Sequence, residues 1–316
     1  MADATAPIPA VPAPVAPAHP LGDVSGLMDT SRPKPTIRQA GRAILAVWCV
    51  TLVGILLGLN AAALQSAALI ATLGGSIFLT LAGAALRREN AALDHVEALL
   101  ALRRTDEAVP LLHGLMSRAM RATENRLRAM LMLGGLLSRL GRTDDAIAVY
   151  TELIETEGLA GPGGAAVRTA RANEMLRADH LFDADRAINE LRRLLDRGGV
   201  AAEMKQFDLT LTAGPDAGAL AGLRLLELYR DVKTGHLGEA VDHFEAQLPM
   251  LRTGLGHRIA NAHALAAIAL HQLNRPAEAA ARYADATALA PLSELVRRYP
   301  ELWPLTNIYP ATSPPR

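Results

Sequence analysis

The chain has few aromatic residues, one cysteine and almost no lysine. Only 3% of its 316 residues are Phe, Trp or Tyr, so packing falls mainly to small and aliphatic side chains, which suits closely spaced helices. The single Cys49 excludes an intrachain disulfide and a cysteine-based zinc site. The 32 basic residues balance 32 acidic ones. That balance argues against a nucleic-acid partner held by a broad basic field.

Charged residues are missing from one long stretch. No Asp, Glu, Lys or Arg occurs from Ala43 to Leu86. A single helix of that length would measure about 66 Å, roughly twice the hydrocarbon core of a membrane. We therefore expect a two-helix transmembrane hairpin over residues 43–86. Its spans would cover 43–60 and 65–86, joined by a turn at Gly58, Asn60 and Gln65.

Basic residues flank this uncharged stretch on both sides. They are Arg32, Lys34, Arg38 and Arg42 before it, and Arg87 and Arg88 after it. The positive-inside rule then predicts a multi-pass protein of a bacterial inner (cytoplasmic) membrane, with both termini and everything after the hairpin in the cytoplasm. A buried hairpin inside a globular core is the alternative.

The first 35 residues are rich in proline, which fixes φ and removes backbone donors. We expect residues 1–42 to form a disordered Pro/Ala-rich tail. A proline-rich ligand for the groove of a partner is the alternative function of this segment.

Residues 89–291 repeat a short pattern in which an acidic turn is followed by an alanine and an apolar helical stripe. The five copies are RRTDEAVPLL, GRTDDAIAVY, FDADRAINEL, GHLGEAVDHF and NRPAEAAARY, with aligned alanines Ala108, Ala146, Ala187, Ala240 and Ala279. The alanines are 38, 41, 53 and 39 residues apart, which is close to one helix pair with its loops. Helices with one apolar face need neighbours in a regular stack.

Local signals indicate where the second helix of each pair begins. Thr105 and Thr143 are expected as N-caps, and Pro276 as a first-turn proline. The pair Asp144 and Asp145 is interpreted as a helix start that favours the positive end of the helix dipole, rather than as chemistry.

Two of the copies resemble the tetratricopeptide repeat (TPR) family. Around the second copy the matching residues are Leu133, Gly134, Gly141, Ala146 and Tyr150; around the last they are Ala267, Ala279, Tyr283, Ala286 and Pro291. The other copies are degenerate, because Leu112 and Leu191 replace the aromatic residue and Gln247 replaces a small one. The resemblance implies an all-α fold, a right-handed α-solenoid of about five helix-turn-helix pairs. A count of four to six pairs and a related helical-hairpin solenoid remain open.

In that family the first helix of each pair lines a concave groove that binds peptides or helices of other proteins. Carried onto the two well-matched pairs, the resemblance predicts groove positions at Arg128, Ser138, Asn261 and His271. Ordinary solvated positions are the alternative. The subfamily that grips carboxyl-terminal peptides uses a clamp rich in lysine and asparagine. With Lys205 and Lys233 as the only lysines of this region, that clamp is not expected.

Two segments interrupt or end the array. Residues 196–218 contain glycines, Pro215 and an alternating FDLTLT, which predict a loop across the groove or a bulge between two sub-arrays. Residues 292–316 are expected to form a capping helix and a flexible tail, with Trp303 and Leu305 docking on the last pair.

No catalytic or metal constellation can be assembled. The histidine pairs His236/His243 and His263/His271 lack the spacing of a helical metal site. The glycine-rich segment 158–166 lacks the Lys-Ser/Thr ending of a phosphate loop. We therefore expect a protein with no cofactor, no metal, no small-molecule substrate and no enzymatic activity.

These observations lead to two functional hypotheses. The first is a membrane-anchored TPR-like adaptor that binds protein partners through its helical-repeat groove. The alternative is a structural subunit of an integral membrane complex assembled through the hairpin. An enzyme is a distant third.

Overall fold

The fold is all-helical, as the sequence predicts. The computed structural model describes residues 21–33, 45, 46, 49, 50, 52, 53, 61–156, 162–197 and 215–309, and no β-strand occurs among them. The chain divides into two compact units, Met1–Arg121 and Ala122–Arg316.

The first unit contains three described helices: α1 (Val24–Thr30), α2 (Ala61–Ala101) and α3 (Thr105–Met116). The second contains four helix pairs and a terminal segment. The pairs are α4 (Thr123–Arg139) with α5 (Thr143–Thr156), α6 (Pro162–Arg177) with α7 (Leu181–Arg197), α8 (Pro215–Thr234) with α9 (Leu237–Leu255), and α10 (Ile259–Gln272) with α11 (Pro276–Leu289). Short 3₁₀ turns occur at Gly256–Arg258 and Pro300–Leu302, and the terminal helices are α12 (Leu292–Arg298) and α13 (Trp303–Ile308).

The predicted transmembrane hairpin, and with it the multi-pass membrane localisation, is wrong. Nowhere in the described part of the chain is a helix both long and apolar enough to cross a membrane. Gln65, expected in the turn, lies inside α2, which continues through the charged residues after Leu86 to Ala101. The prediction took the first charged residues, Arg87 and Arg88, as the end of a span, whereas α2 continues across them without a break. Most of the proposed first span, including Gly58 and Asn60, lies outside the described residues.

Part of the expected N-terminal tail is helical. Asp23 caps α1 by accepting the Ser25 N–H at 3.0 Å, and the side chains of Leu21, Val24 and Leu27 are buried. The helix packs against α3, and the Thr30 hydroxyl donates to the Met116 carbonyl at 3.0 Å. The high proline content of the surrounding residues led to a prediction of disorder, although this short amphipathic segment packs its apolar face against α3. Residues 1–20 and 34–42 lie outside the described part.

The helices of the second unit pack in a regular order. Each helix contacts the next one along the chain, from α4 to α11. In addition, the first helices of successive pairs touch one another, α6 with α8 and α8 with α10. This pattern places first helices side by side along one face. The helix α10 lies among these neighbours and is buried from Ile259 to Leu270.

Five turns, one between α2 and α3 and one in each pair of the second unit, share one geometry. The left-handed residues are Arg103, Gly141, Asp179, Gly235 and Asn274, with φ between 58° and 80°. The residue after each of them donates its N–H to the carbonyl five positions earlier, at 2.9–3.0 Å. This bond closes the end of the first helix in a Schellman-type cap.

The positions of these turns show that the third sequence copy, FDADRAINEL, was aligned three residues too late. Five residues after each left-handed residue comes a buried alanine, and in the third pair this residue is Ala184, not Ala187. The equivalent of Tyr150 is then Ile188 rather than Leu191. The alanines Ala108, Ala146 and Ala184 follow at intervals of 38 residues. The misalignment arose because Asp179 adopts a conformation that favours glycine, so the sequence carries no glycine signal there.

Arginines, not threonines, directly precede three of the second helices, α3, α5 and α11. Helices α3 and α5 begin at Thr105 and Thr143 themselves, so the N-cap expectation is wrong for both threonines. Arg104 occupies the N-cap of α3 without a side-chain cap bond. Its guanidinium instead pairs with Glu107 of the first turn, at 2.6 Å. The same i,i+3 pair recurs as Arg142–Asp145 and Arg275–Glu278.

Two other predictions about helix starts are confirmed. Asp144 and Asp145 lie in the first turn of α5, and Pro276 lies at the start of α11.

The insertion does not separate two sub-arrays. Residues 198–214 lie outside the described part, but α7 and α8 on either side of them pack directly together. The buried Glu227 of α8 accepts from Arg192 of α7 at 2.6 Å and from Arg224 at 2.7 Å. The array is therefore continuous across the insertion.

The terminal segment covers the last pairs, with a different set of anchors from the one expected. Leu305 is buried as predicted, whereas Trp303 is 62% exposed, so its docking role is wrong. Leu295, Tyr299 and Leu302 are buried as well. Tyr299 packs edge-on against Tyr229 of α8, with ring centroids 5.0 Å apart.

Candidate binding cleft

The first helices of the second unit enclose one cleft of about 670 Å³. We call this space the cleft. Residues of α4, α6, α8 and α10 line it, together with Tyr150 of α5, residues around the end of α9, and Arg298 and Tyr299 of the terminal segment.

Small residues form much of the cleft wall. They include Ala166, Ala170, Gly218, Ala219 and Gly222. A Cβ atom at Gly222 would lie 3.3 Å from Thr169 Cγ2, so α6 and α8 approach each other closely at this point. A wall of such short side chains lets the backbone of a ligand come near the helices.

An ionic network centred on Glu174 lies at one side of the cleft. The buried Glu174 carboxylate accepts from the Ser138 hydroxyl at 2.8 Å and from Arg177 Nη1 at 2.7 Å. Asn173 Nδ2 donates to the same carboxylate at 3.3 Å. Because Glu174 is fully engaged, this network joins α4 to α6 and leaves little capacity for a ligand.

Three other polar side chains line the cleft and are more than nine-tenths buried, yet form no hydrogen bond among the described residues. They are Asn261, Tyr150 and Tyr299, which are 4%, 6% and 1% exposed. Burial raises the pKa of Tyr299 to about 12. Burial, followed by the nearby Glu174 charge, raises the pKa of Tyr150 as well. Both phenols therefore stay protonated at neutral pH and act as hydrogen-bond donors.

Two arginines, Arg258 and Arg298, line the cleft, and the charges of Arg139 and Arg298 lie near Arg297. We call these four residues the arginine rim. Arg258 has no hydrogen bond or ion pair in the described structure. Arg298 reaches Glu294 at 3.7 Å. Arg258 remains exposed at the edge of the cleft, and partial desolvation together with the neighbouring Arg298 lowers its pKa. Burial likewise lowers the pKa of Arg297; the Glu294 charge opposes this effect, and Arg139, Arg298 and Arg177 add to it. The rim is therefore a positive field that favours an anion.

The four predicted groove residues do not all come together. Ser138 and Asn261 both line the cleft. Arg128 is partly buried in α4, outside the lining. His271 lies beside the Tyr309 ring, with centroids 6.0 Å apart, and is also outside the lining.

Repeat register explains part of what sequence reasoning missed. Asn261 lies 13 residues before the left-handed Asn274, and the same offset from Asp179 and Gly235 leads to Ala166 and Gly222, which both line the cleft. Applying the offset to the degenerate pairs would have identified them. Arg258 and Tyr299 lie outside the repeated pattern, so no sequence signal marked them.

Comparison of the chain with protein-family models, curated proteins and solved structures finds no match.

Proposed function

We propose that this chain is a non-enzymatic, TPR-like solenoid scaffold that holds a protein partner in the cleft. The single observation that carries the proposal is the set of buried cleft groups without partners, Asn261, Tyr150 and Tyr299. Their polar groups border the cleft and have no hydrogen-bond partner among the described residues, so a ligand in the cleft can hydrogen-bond to all three side chains.

Repetition supports the solenoid part of the proposal. Five turns share the same left-handed residue, the same carbonyl contact and the same buried alanine. The interval of 38 residues is about one helical turn longer than the roughly 34 residues of the TPR family. We therefore propose a TPR-like array with lengthened helices.

The character of the cleft favours binding over catalysis. Its tyrosines are protonated donors, its one buried carboxylate is tied to Ser138 and Arg177, and its wall is built from alanine and glycine. These groups suit the recognition of a polypeptide more than the activation of a nucleophile.

Position-dependent photocrosslinking tests the proposal. A photoreactive amino acid replaces Thr169 in the cleft of the full chain, and in a control chain it replaces Arg193, which is exposed on α7 outside the cleft. After irradiation in the native cells, mass spectrometry identifies the adducts. We expect one protein to crosslink from position 169 and not from position 193. Crosslinks that form equally at both positions, or at position 193 alone, would remove the cleft as the binding surface.

A further inference from the structure

The arginine rim gives the cleft a preference for one kind of ligand. Arg177 also lies nearby, but the Glu174 carboxylate neutralises it at 2.7 Å. Glu294 sits 3.7 Å from Arg298, a weak partly exposed pair. Arg258 stays without any carboxylate in the described structure. A negative group brought to Arg258 would therefore meet a guanidinium that has no carboxylate partner among the described residues and has the like charge of Arg298 nearby.

Asn261 lies one helical turn beyond Arg258, about 4.5 Å further along the axis. Asn261 is 4% exposed, and its amide borders the cleft and has no hydrogen-bond partner among the described residues. A primary amide offers one acceptor and two donors, so it matches the paired N–H and C=O of a peptide backbone. The wall of small residues allows that backbone to come close.

We propose that the cleft binds an extended peptide segment of its protein partner through an Asp or Glu side chain at Arg258, with Asn261 paired to the peptide backbone beside it. This inference rests on the proposed function and specifies its ligand chemistry. Tyr299 and Tyr150 supply further neutral donors to carbonyl or carboxylate oxygens. Arg258 and Asn261 are about one helical turn apart. This separation matches the distance between the carboxylate of an Asp or Glu side chain and the peptide backbone that carries it.

A pool of blocked peptides tests the inference even before the partner is identified. The probe is a degenerate decapeptide library, acetylated at the N-terminus and amidated at the C-terminus, so that side chains carry its only carboxylates. The full chain retains bound peptides on a column, and mass spectrometry reads their composition. We expect Asp and Glu to be enriched several-fold over the input pool.

Matched variants assign the enrichment to Arg258. In Arg258→Gln the acidic enrichment should disappear, and a retained acidic peptide should bind on the order of tenfold more weakly, because a charge-assisted hydrogen bond is lost. Arg193→Gln removes an equally unpaired arginine outside the cleft and should keep the full enrichment.

Asn261→Leu separates recognition from folding. It removes a buried amide that has no partner among the described residues, so the melting temperature should not fall. Retention of the whole library should fall all the same. A variant that binds as the wild type does would overturn the role of Asn261.

The remaining outcomes separate a failure of this inference from a failure of the proposed scaffold function. Peptides retained without acidic enrichment would keep the scaffold and reject the acidic ligand. Equal retention of a neutral library with free carboxyl termini would assign the rim to a chain terminus instead of a side chain. No retention of any peptide, together with a cleft-specific crosslink, would reject the extended-peptide mode. No retention and no cleft-specific crosslink would reject the proposed function as well.

Discussion

Gly134 meets the ring of Tyr150 between the two helices of the α4–α5 pair. A Cβ atom on this glycine would lie 2.5 Å from Tyr150 Cε1 and 2.8 Å from Cζ, closer than side chains can pack. The sequence pattern marks both residues, and the structure supplies the physical reason: the glycine makes room for the aromatic ring.

Gly134→Ala should therefore lower the free energy of unfolding by about 1–3 kcal/mol through overpacking. Gly135→Ala is the matched control, because a Cβ atom there meets nothing within 4 Å. It should raise the free energy of unfolding by about 0.5–1 kcal/mol, since alanine favours a helix over glycine. Urea denaturation of both variants measures the difference, and equal effects would contradict the role of the Tyr150 contact.

The success of sequence reasoning at the residue scale depended on repetition. Gly134 and Tyr150 occur in a pair that follows the family pattern, and Ser138 and Asn261 follow from the same pattern and line the cleft. Arg258 and Tyr299 belong to no repeat, so nothing in the sequence set them apart. The predicted docking of Trp303 was wrong because the size and hydrophobicity of a side chain do not determine which face of a short helix packs against the protein.

At the scale of elements, the turn between paired helices uses glycine in some pairs and another residue in others. Gly235 and Asn274 occupy equivalent positions, with φ of 80° and 58°. A Cβ atom at Gly235 would contact nothing within 4 Å, so only backbone conformation distinguishes the two residues.

Gly235→Ala should therefore lower the free energy of unfolding by about 1 kcal/mol, because alanine disfavours the left-handed region. Asn274→Gly should raise it by about 0.5 kcal/mol for the opposite reason. Chemical denaturation of the two variants checks the signs. Effects of the same sign would show that the turns are not equivalent.

The Glu227 bridge between α7 and α8 should make stability depend on pH. Burial by itself raises the pKa of Glu227, but hydrogen bonds from Arg192 and Arg224 outweigh burial and lower it. A carboxylate whose pKa is lower in the folded than in the unfolded chain stabilises the fold at pH values above its unfolded pKa, which is about 4.3. This stabilisation is lost as the pH falls through the folded pKa.

Glu227→Gln should consequently cost about 1–3 kcal/mol at pH 7. The difference from wild type should shrink below about pH 4, where the wild-type carboxylate becomes protonated. Glu190→Gln is the control, because Glu190 is about half exposed and pairs with Arg168 at 3.4 Å, which is worth at most about 1 kcal/mol. Denaturation at several pH values compares them; a pH-independent loss at Glu227 would contradict the ionic bridge.

The transmembrane hairpin, the largest wrong prediction from the sequence, concerns where helices begin and end. Helical periodicity and turn residues correctly predict an all-α chain, because they report local geometry. The transmembrane hairpin was inferred from the absence of charge over residues 43–86, but charge does not mark where a helix ends, and α2 continues through Arg87 and Arg88 to Ala101. The helix α1 escaped notice because its few apolar residues follow a proline-rich segment.

At the scale of the whole second unit, stability should be distributed along the array. Each pair contacts mainly its neighbours, so a local defect should loosen the nearest helices first. The terminal segment, with Leu302 and Leu305 buried, covers the end where α10 is enclosed.

Leu302→Ala should cost about 2–5 kcal/mol through the cavity that it leaves. Amide hydrogen exchange should accelerate in α10 and α11 and change least in α4 and α5. Trp303→Ala, at a position 62% exposed, is the control and should leave exchange close to that of the wild type. Uniform acceleration across the unit would indicate one cooperative block instead of an array.

The equivalent turns also determine where the chain can be shortened. Ala146 and Ala184 follow the same turn and the same carbonyl contact, 38 residues apart. Excision of residues 146–183 would join the turn of one pair to the second helix of the next, and the new junction would reproduce a connection that the protein already contains. The row of first helices can then be lengthened or shortened by whole helix pairs with turns that the protein already has.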